Sequence, residues 1–235
     1  MIKTVGLASL YEPLEFLEHR IENLNCCDMD GTCIYFMDCS DAKVQAEAHE
    51  LIRTRAKFQY RWQGLAGKKD LYRVWNMMVS QAMCDPTMHP VYFCAVNVDD
   101  IQAPNYFREM MFFLDEHPDI VIVSPQWYAS KTKGQYWPPA EKGVFVDPDV
   151  HRTLGHFPMW RARLHDELGN FNPLMRVVGD SEFWDRIKKR YGYGAIAVLE
   201  KPLALYLDHE KNLYKTSKLA NGMTGEAMDR KLMGL

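Results

Sequence analysis

HPVYFCAVNVDDIQAP, residues 89–104, decides how this chain is read. Val91–Val96 reads as a buried strand that runs into Asn97-Val98-Asp99-Asp100, and Pro104 opens a helix. A hydrophobic strand ending on adjacent carboxylates fixes negative charge at the carboxyl edge of a sheet, which is where open α/β sheets bind ligands. Hard carboxylate oxygens in that place suit Mg²⁺ or Mn²⁺, and such a metal suits a diphosphate.

Working outward, Thr4–Ala8 reads as a strand stopped by Ser9-Leu10-Tyr11-Glu12-Pro13. Pro13 suits a first helical position, and Leu14, Leu17, Ile21 and Leu24 then recur at helical spacing. Thr32–Met37 is a second strand, ending in Asp38-Cys-Ser-Asp41, and Ala42–Arg53 is helical. Lys57–Trp62 alternates like a strand with one exposed face, and Gly64–Lys69 is a basic, glycine-containing loop. Leu71, Val74, Trp75, Met78, Val79 and Ala82 form the clearest amphipathic helix. After the acidic turn, a helix carries Phe107, Met110, Met111 and Leu114, and Ile120–Val123 is a short β-branched strand. Periodicity is lost from Ser130 to His156, a stretch expected to be a functional flap. A short helix from Trp160 to Leu168, a helix opened by Asp180, and strands at Ala195–Leu199 and Leu203–Leu207 complete the pattern, before a polar tail from Glu210.

Strand–helix alternation through residue 123 predicts an α/β fold with a mostly parallel central sheet flanked by helices, and an irregular acceptor-side or lid region in the second half. One domain is expected over 1–235, divided into a ligand-binding half (1–127), a lid and acceptor half (128–209) and a tail (210–235). The 235 residues suffice for a substantial core, and a net charge of −3 gives no global signature of nucleic-acid binding. No signal-peptide core and no run of about 18 apolar residues is found, so no membrane span and a cytoplasmic location are expected. Six cysteines without a CxxC pair read as reduced thiols.

Several side chains carry candidate chemistry, each beside a plainer role. Asp38 and Asp41 end a second acidic strand, although Asp41 also suits a helix N-cap. Asp180 likewise suits an N-cap, where the helix N-terminus would favour its ionised form. His209 follows the last strand. Trp137 and Trp160 flank the irregular region and suit either sugar stacking or core packing. Lys68, Lys69, Arg152, Arg161 and Arg163 read as solvated surface or phosphate clamps. GxGxxG, GxxxxGKS, HExxH and GxSxG are all absent from the sequence.

In order and spacing these pieces resemble the family 2 glycosyltransferases over roughly residues 3 to 215. SLYEPLEFLEHRIENL is similar to that family's opening strand–loop–helix, IYFMDCSDAK to its second strand end, and YRVWNMMVSQA places Asn76 at its helix asparagine. Asn97-Val98-Asp99-Asp100 with Pro104 resembles its D-x-D-D motif, with Asn97 replacing the first Asp. GNFNPLMRVVGDSEFWDRI resembles its later G-x-F…E-D…W-x-x-R motif, with Gly179 replacing Glu, and PLALYLDHEKN its closing strand and His. The resemblance implies a GT-A fold and inverting transfer from a nucleotide-diphosphate sugar, a UDP-sugar first, to an acceptor glycan or other hydroxyl-bearing molecule. A nucleic-acid acceptor is left open without being indicated. It implies Mn²⁺ or Mg²⁺ on Asp99, Asp100 and His209, and Asp180 as catalytic base. Ser9, Leu10, Tyr11, Glu12, Asp38, Asp41, Asn76, Asn97, Val98 and Asp99 would hold the donor. The alternatives are a sugar-phosphate nucleotidyltransferase, disfavoured because SLYEPLEF has no glycine or basic residue for a triphosphate, and a non-catalytic nucleotide-sugar-binding module.

Overall fold

Residues 2–148, 154–217 and 223–233 are described in a computed structural model of the chain. Period-two alternation lays down the sheet. In β1 (Thr4–Leu10), Val5 and Leu7 pack into one core cluster while Ala8 and Leu10 pack into the other. β2 (Thr32–Asp38) sends Cys33, Tyr35 and Met37 to the first and Ile34 and Phe36 to the second. Strands buried on both faces require helices on both. α1 (Leu14–Asn25), α2 (Ala42–Arg55) and α4 (Tyr106–Glu116) supply one layer. α3 (Leu71–Cys84), α5 (Leu164–Leu168) and α6 (Gly179–Tyr191) supply the other.

β3 (Gln59–Gly64), β2, β1 and β4 (Tyr92–Ala95) run parallel in that order. The sheet continues through β8 (Met159–Arg161), β6 (Ile122–Ser130), β9 (Ile196–Leu207) and β5 (Ile101–Gln102), with β7 (Val144–Val146) hydrogen-bonded beside β6. β6 and β9 share the direction of the parallel half, whereas β5, β7 and β8 oppose it. The sheet is therefore mostly parallel, as expected. No helix among the described residues is long and apolar enough to cross a membrane.

Three local expectations are corrected. Trp160 does not open a helix but lies in β8, between Phe93 of β4 and Ile122 of β6, with its indole N–H donated to His165 at 3.0 Å. A fully buried Trp is core, not a sugar platform. The two strands read at 195–207 are one strand, β9, whose register against β6 shifts around Gln126, opposite Pro202. Pro202 has no N–H to give to a regular ladder, which accounts for a break visible in the sequence inside a continuous strand. The stretch 130–156 is also not wholly irregular, since β7 lies within it and the preceding turn is pinned to α1. His19 Nε2 lies 2.7 Å from the Gln135 carbonyl, Tyr136 Oη donates to Glu22 at 2.9 Å, and Lys133 pairs with Glu15.

Beneath the acidic turn sits a fully buried cation, Arg20. Its Nη1 donates to Asn23 Oδ1 at 2.7 Å and to the Asp100 carbonyl at 3.0 Å, and its Nη2 donates to Gln102 Oε1. Asn23 in turn donates to the Gln102 carbonyl at 2.8 Å. α1 thereby holds the segment after β4 by buried polar bonds that apolar packing could not direct. Replacing Arg20 by Leu strands two buried acceptors, the Asp100 carbonyl and Gln102 Oε1, while Asn23 Oδ1 keeps the Gln102 N–H at 3.1 Å, and should cost about 2 kcal/mol or more in urea unfolding. A loss below about 1 kcal/mol would show that the cluster carries little of the fold.

Candidate active site

A cleft of about 290 Å³ opens at the carboxyl ends of β1 and β4. Ser9 and Tyr11 line it from the β1 turn, Asn97, Val98 and Asp99 from the turn after β4, Tyr72 and Trp75 from α3, and Asp180 and Trp184 from α6. Lys211 to Tyr214 close it from the segment after β9, which includes the short α7 (Leu213–Thr216). Residues from both ends of the chain thus converge on one edge of the sheet.

Asp99 and Asp100, adjacent in sequence, do different work. Asp100 is buried, its Oδ1 accepts the Leu207 N–H at 3.1 Å and its Oδ2 accepts Asn97 Nδ2 at 2.8 Å. Burial, with the charge of Asp99 beside it, raises its pKa. Each oxygen thus holds a hydrogen bond inside the protein, so that Asp100 fastens the acidic turn to β9 and Asp99 is the member of the pair that lines the cleft. The same contact explains Asn97. An aspartate there would set a third carboxylate against Asp100, whereas the amide donates to it.

Asp99 faces the cleft, and its Oδ2 lies 2.9 Å from His209 Nε2. The ring is oriented from behind: Lys211 N–H approaches Nδ1 at 3.3 Å, the His209 N–H is accepted by Asn212 Oδ1, and Phe16 packs 4.9 Å from the ring. Fixing the far side of a histidine aims its other nitrogen, the arrangement used around ligating histidines. Oxygen and nitrogen donors side by side fit one divalent ion. Among the described residues no group of three or more His, Cys, Asp or Glu could hold one, so the remaining positions would fall to substrate oxygens and water. Mg²⁺ sites of this kind use one or two carboxylates plus substrate phosphates.

Asp38 ends β2 fully buried; Ser40 N–H donates to its Oδ1 at 2.8 Å, while its Oδ2 has no hydrogen-bond partner among the described residues. Ser40 Oγ accepts the Glu12 N–H at 2.8 Å, tying the β1 turn to the end of β2, and Glu12 adopts a positive φ of 50° there. Leu10 is a core side chain by strand alternation and meets the edge only through its backbone. Asp41 is exposed and caps α2, accepting the Lys43 and Val44 N–H groups at 3.0 Å each. Asn76 clamps the Phe171 backbone, donating to its carbonyl at 2.8 Å and accepting its N–H at 3.0 Å. Leu10, Asp41 and Asn76 thus each have a structural role in the fold, and the three lie outside the cleft lining.

Of the basic residues, Arg161 is spent on the carbonyls of Leu114, His117 and Ile120, Arg163 pairs with Glu167, and Arg152 lies outside the described residues. Lys68 sits 4.3 Å over the Tyr11 ring at the cleft mouth. Trp137 lies against Tyr128, 6.5 Å between ring centres, outside the cleft lining.

Sequence reasoning missed three cleft residues. Tyr72 donates to Asp180 Oδ1 at 3.1 Å and to the Val177 carbonyl at 2.8 Å. His156 stacks on Tyr206 at 4.1 Å and 10° on the wall beside Asp180. Tyr206 sits inside the PLALYLDHEKN segment and could have been flagged there; Tyr72 and His156 had no local signal. Tyr72 also accounts for Gly179: a Cβ there would lie 2.6 Å from the Tyr72 ring and 2.9 Å from Met175 Cβ. A side chain at 179 and Tyr72 against Asp180 exclude one another.

No family model matches this chain, and no curated protein matches it. Its fold is shared with solved glycosyltransferases. S. aureus TarS in complex with UDP-GlcNAc superposes with a TM-score of 0.71 at 14% identity, over 92% of this chain and 62% of that one. The mannosyltransferase PcManGT from Pyrobaculum calidifontis, with GDP-Man and Mn²⁺, gives 0.66 at 11% identity over 90% and 59%. Glucosyl-3-phosphoglycerate synthase from Mycobacterium tuberculosis, with Mn²⁺, UDP and glucosyl-3-phosphoglycerate, gives 0.56 at 10% over 88% and 72%. The chain spans about three fifths of the first two structures. The fold is GT-A.

Asp180 is not the N-cap of α6. Val178 holds that position, and Asp180 stands in the first turn with Ser181 N–H on its Oδ1 at 2.8 Å. Nor is its pKa lowered as expected: burial pushes it up to about 6, the Ser181 and Tyr72 bonds oppose that, and the charge of Asp229 adds to it. A carboxyl raised in the folded state costs stability once ionised, so the cost is complete above pH 6 and disappears as the pH falls towards 4. Asp180→Asn should therefore unfold at higher urea than the parent at pH 8, with the gap closing at pH 4. Equal midpoints at pH 8 would contradict a raised pKa.

Proposed function

We propose that this chain is a metal-dependent inverting glycosyltransferase that moves a sugar from a nucleotide-diphosphate donor, a UDP-sugar first, to an acceptor hydroxyl. The observation that carries the reading is one cleft holding the Asp99–His209 pair on one wall and Asp180 on another. The two functions of the reaction, leaving-group stabilisation and proton removal, require that separation.

The β1 turn would receive the nucleotide. Ser9 and Tyr11 face the cleft, and the buried Asp38 stands behind them at the end of β2, its backbone turn tied to theirs through Ser40. Asp99 and His209 would hold Mn²⁺ or Mg²⁺, which when bound supplies charge neutralisation to the leaving diphosphate. That S. aureus TarS binds UDP-GlcNAc, and that PcManGT was solved with GDP-Man and Mn²⁺, supports a nucleotide-sugar donor and a divalent ion.

Asp180 would take the proton of the attacking hydroxyl. With a pKa near 6 it is ionised at neutral pH yet more basic than an ordinary aspartate, the compromise that general base catalysis favours. Tyr72 orients the carboxylate through Oδ1. Beyond Asp180 the cleft continues along Trp127, Trp184, Tyr206 and Tyr214, flat apolar faces that suit a saccharide acceptor. The turn at 133–136, anchored on α1, would cover the donor and limit access of water. The two departures from the D-x-D-D and E-D patterns, Asn97 and Gly179, are each accommodated by a neighbour, Asp100 and Tyr72, and so do not favour a non-catalytic binding module.

A thermal-shift panel of UDP, GDP and their sugars, with and without Mn²⁺, reads the donor directly, because a ligand of the folded state raises Tm. One nucleotide should stabilise the protein, more so with Mn²⁺, and Asp99→Ala should lose the Mn²⁺-dependent part. Asp180→Asn should keep that stabilisation while donor turnover falls by on the order of 100-fold. Turnover at the parent rate in Asp180→Asn, or Mn²⁺-independent binding in the parent, would overturn the reading.

A further inference from the structure

The C-terminal segment, read from sequence as a polar tail, ends in α8 (Gly225–Leu232) and delivers one fully buried carboxylate, Asp229. Its Oδ2 accepts three successive backbone N–H groups, from Arg176 at 2.9 Å, Val177 at 2.7 Å and Val178 at 2.9 Å, and its Oδ1 accepts Arg176 again at 3.0 Å. Among the described residues Asp229 forms no ion pair, and it is held by a backbone nest at the N-terminus of α6. These amides lead straight into Gly179 and Asp180. The Val177 carbonyl is in turn held by Tyr72, the same hydroxyl that holds Asp180.

The close approach of α8 is built in at Gly225. A Cβ at that position would lie 2.2 Å from Ser217 Oγ and 2.9 Å from Val177 Cγ2, and the Gly225 N–H is donated to the Ser217 carbonyl at 2.7 Å. Removing a carboxylate from water without a counter-ion is expensive, and the same packing could be had with an apolar residue. What an apolar residue could not do is gather three consecutive amides and fix the backbone that carries Asp180.

We propose that Asp229 is the positioning residue of the active site, and that the C-terminal helix is a working part of it, setting the 176–178 backbone and through it the place of Asp180. The inference rests on Asp180 being the base. Asp180 is faced by Tyr72 from α3, Asp229 and Glu226 from α8, His156 from the loop before β8, and Tyr206 and Tyr214 from β9 and the segment after it. Of these, Asp229 is the neighbour whose negative charge raises the Asp180 pKa. Its neutralisation should therefore lower that pKa and move the acid limb of turnover to lower pH.

The test compares Asp229→Asn and Gly225→Ala with the parent by amide hydrogen exchange, by NMR titration of the Asp180 carboxyl, and by UDP release from UDP-GlcNAc with Mn²⁺. In Asp229→Asn the Arg176, Val177 and Val178 amides should exchange on the order of ten-fold faster while β1 and β2 amides stay protected. The Asp180 midpoint should fall, since a neighbouring negative charge is removed. In Gly225→Ala, which keeps the charge but pushes α8 away, exchange at 176–178 should rise in the same way. Unchanged exchange at 176–178 in Asp229→Asn, or faster exchange spread equally over β1 and β2 with an unmoved Asp180 midpoint, would overturn the inference. UDP release gives the corresponding kinetic arm, kcat falling with donor KM unchanged. If the parent itself releases no UDP, that result counts against the donor reading, and the first two measurements still decide the role of Asp229.

Discussion

The buried carboxylate of Asp100 is the constraint on which the site depends. It takes its hydrogen bonds from Asn97 in its own turn and from the backbone of Leu207 in β9, a residue 107 positions away. Once that bond is made, Asp99 and His209, one residue before and two residues after the two anchor points, stand opposite each other at 2.9 Å. The fully buried Arg20 completes the arrangement from below by holding the Asp100 carbonyl. A pair of carboxylates that looks like one feature in sequence is thus divided into a fastener and a group available to ligand. Burying ionisable groups costs stability, and here it purchases a fixed register between two remote strand ends.

The opposite wall is organised by steric exclusion rather than by charge pairing. Tyr72 occupies the volume that a side chain at 179 would need, and its hydroxyl then reaches both Asp180 and the Val177 carbonyl. Because Asp180 is desolvated, its pKa rises to about 6 instead of falling at the helix terminus. Desolvation outweighs the helix dipole, whose effect on a side chain in the first turn is modest. The result is a carboxylate of enhanced basicity on one side of the cleft and a potential metal pair on the other.

Much of this was legible in the sequence, and the failures have physical causes. Strand alternation and the Leu71–Ala82 stripe gave the parallel half of the sheet and its helices, because local periodicity encodes which face is buried. The acidic strand end, Asp180 and His209, far apart in sequence, meet at one edge of the sheet, which is where the order of the motifs put them. What could not be read was direction. Asp100, Asp41 and Asn76 carry the right functional groups, but each is spent on a backbone or side chain that only the fold brings near. Trp160 was misread because one fully buried tryptophan looks the same in a helix, in a strand or in a binding site. The role of Tyr72 rests on a contact across 108 residues, and that of Asp229 on contacts across more than fifty.

Asp99 and Asp100 divide the work of the acidic turn, one open to a metal and one fastening the fold. Anomalous diffraction at the manganese edge, from crystals grown with Mn²⁺ and UDP, distinguishes the two. The expected result is one Mn²⁺ peak bound by Asp99 and His209 and by diphosphate oxygens, with the Asp100 carboxylate still accepting from Leu207 and Asn97. A peak coordinated by Asp100, or one placed away from His209, would contradict it.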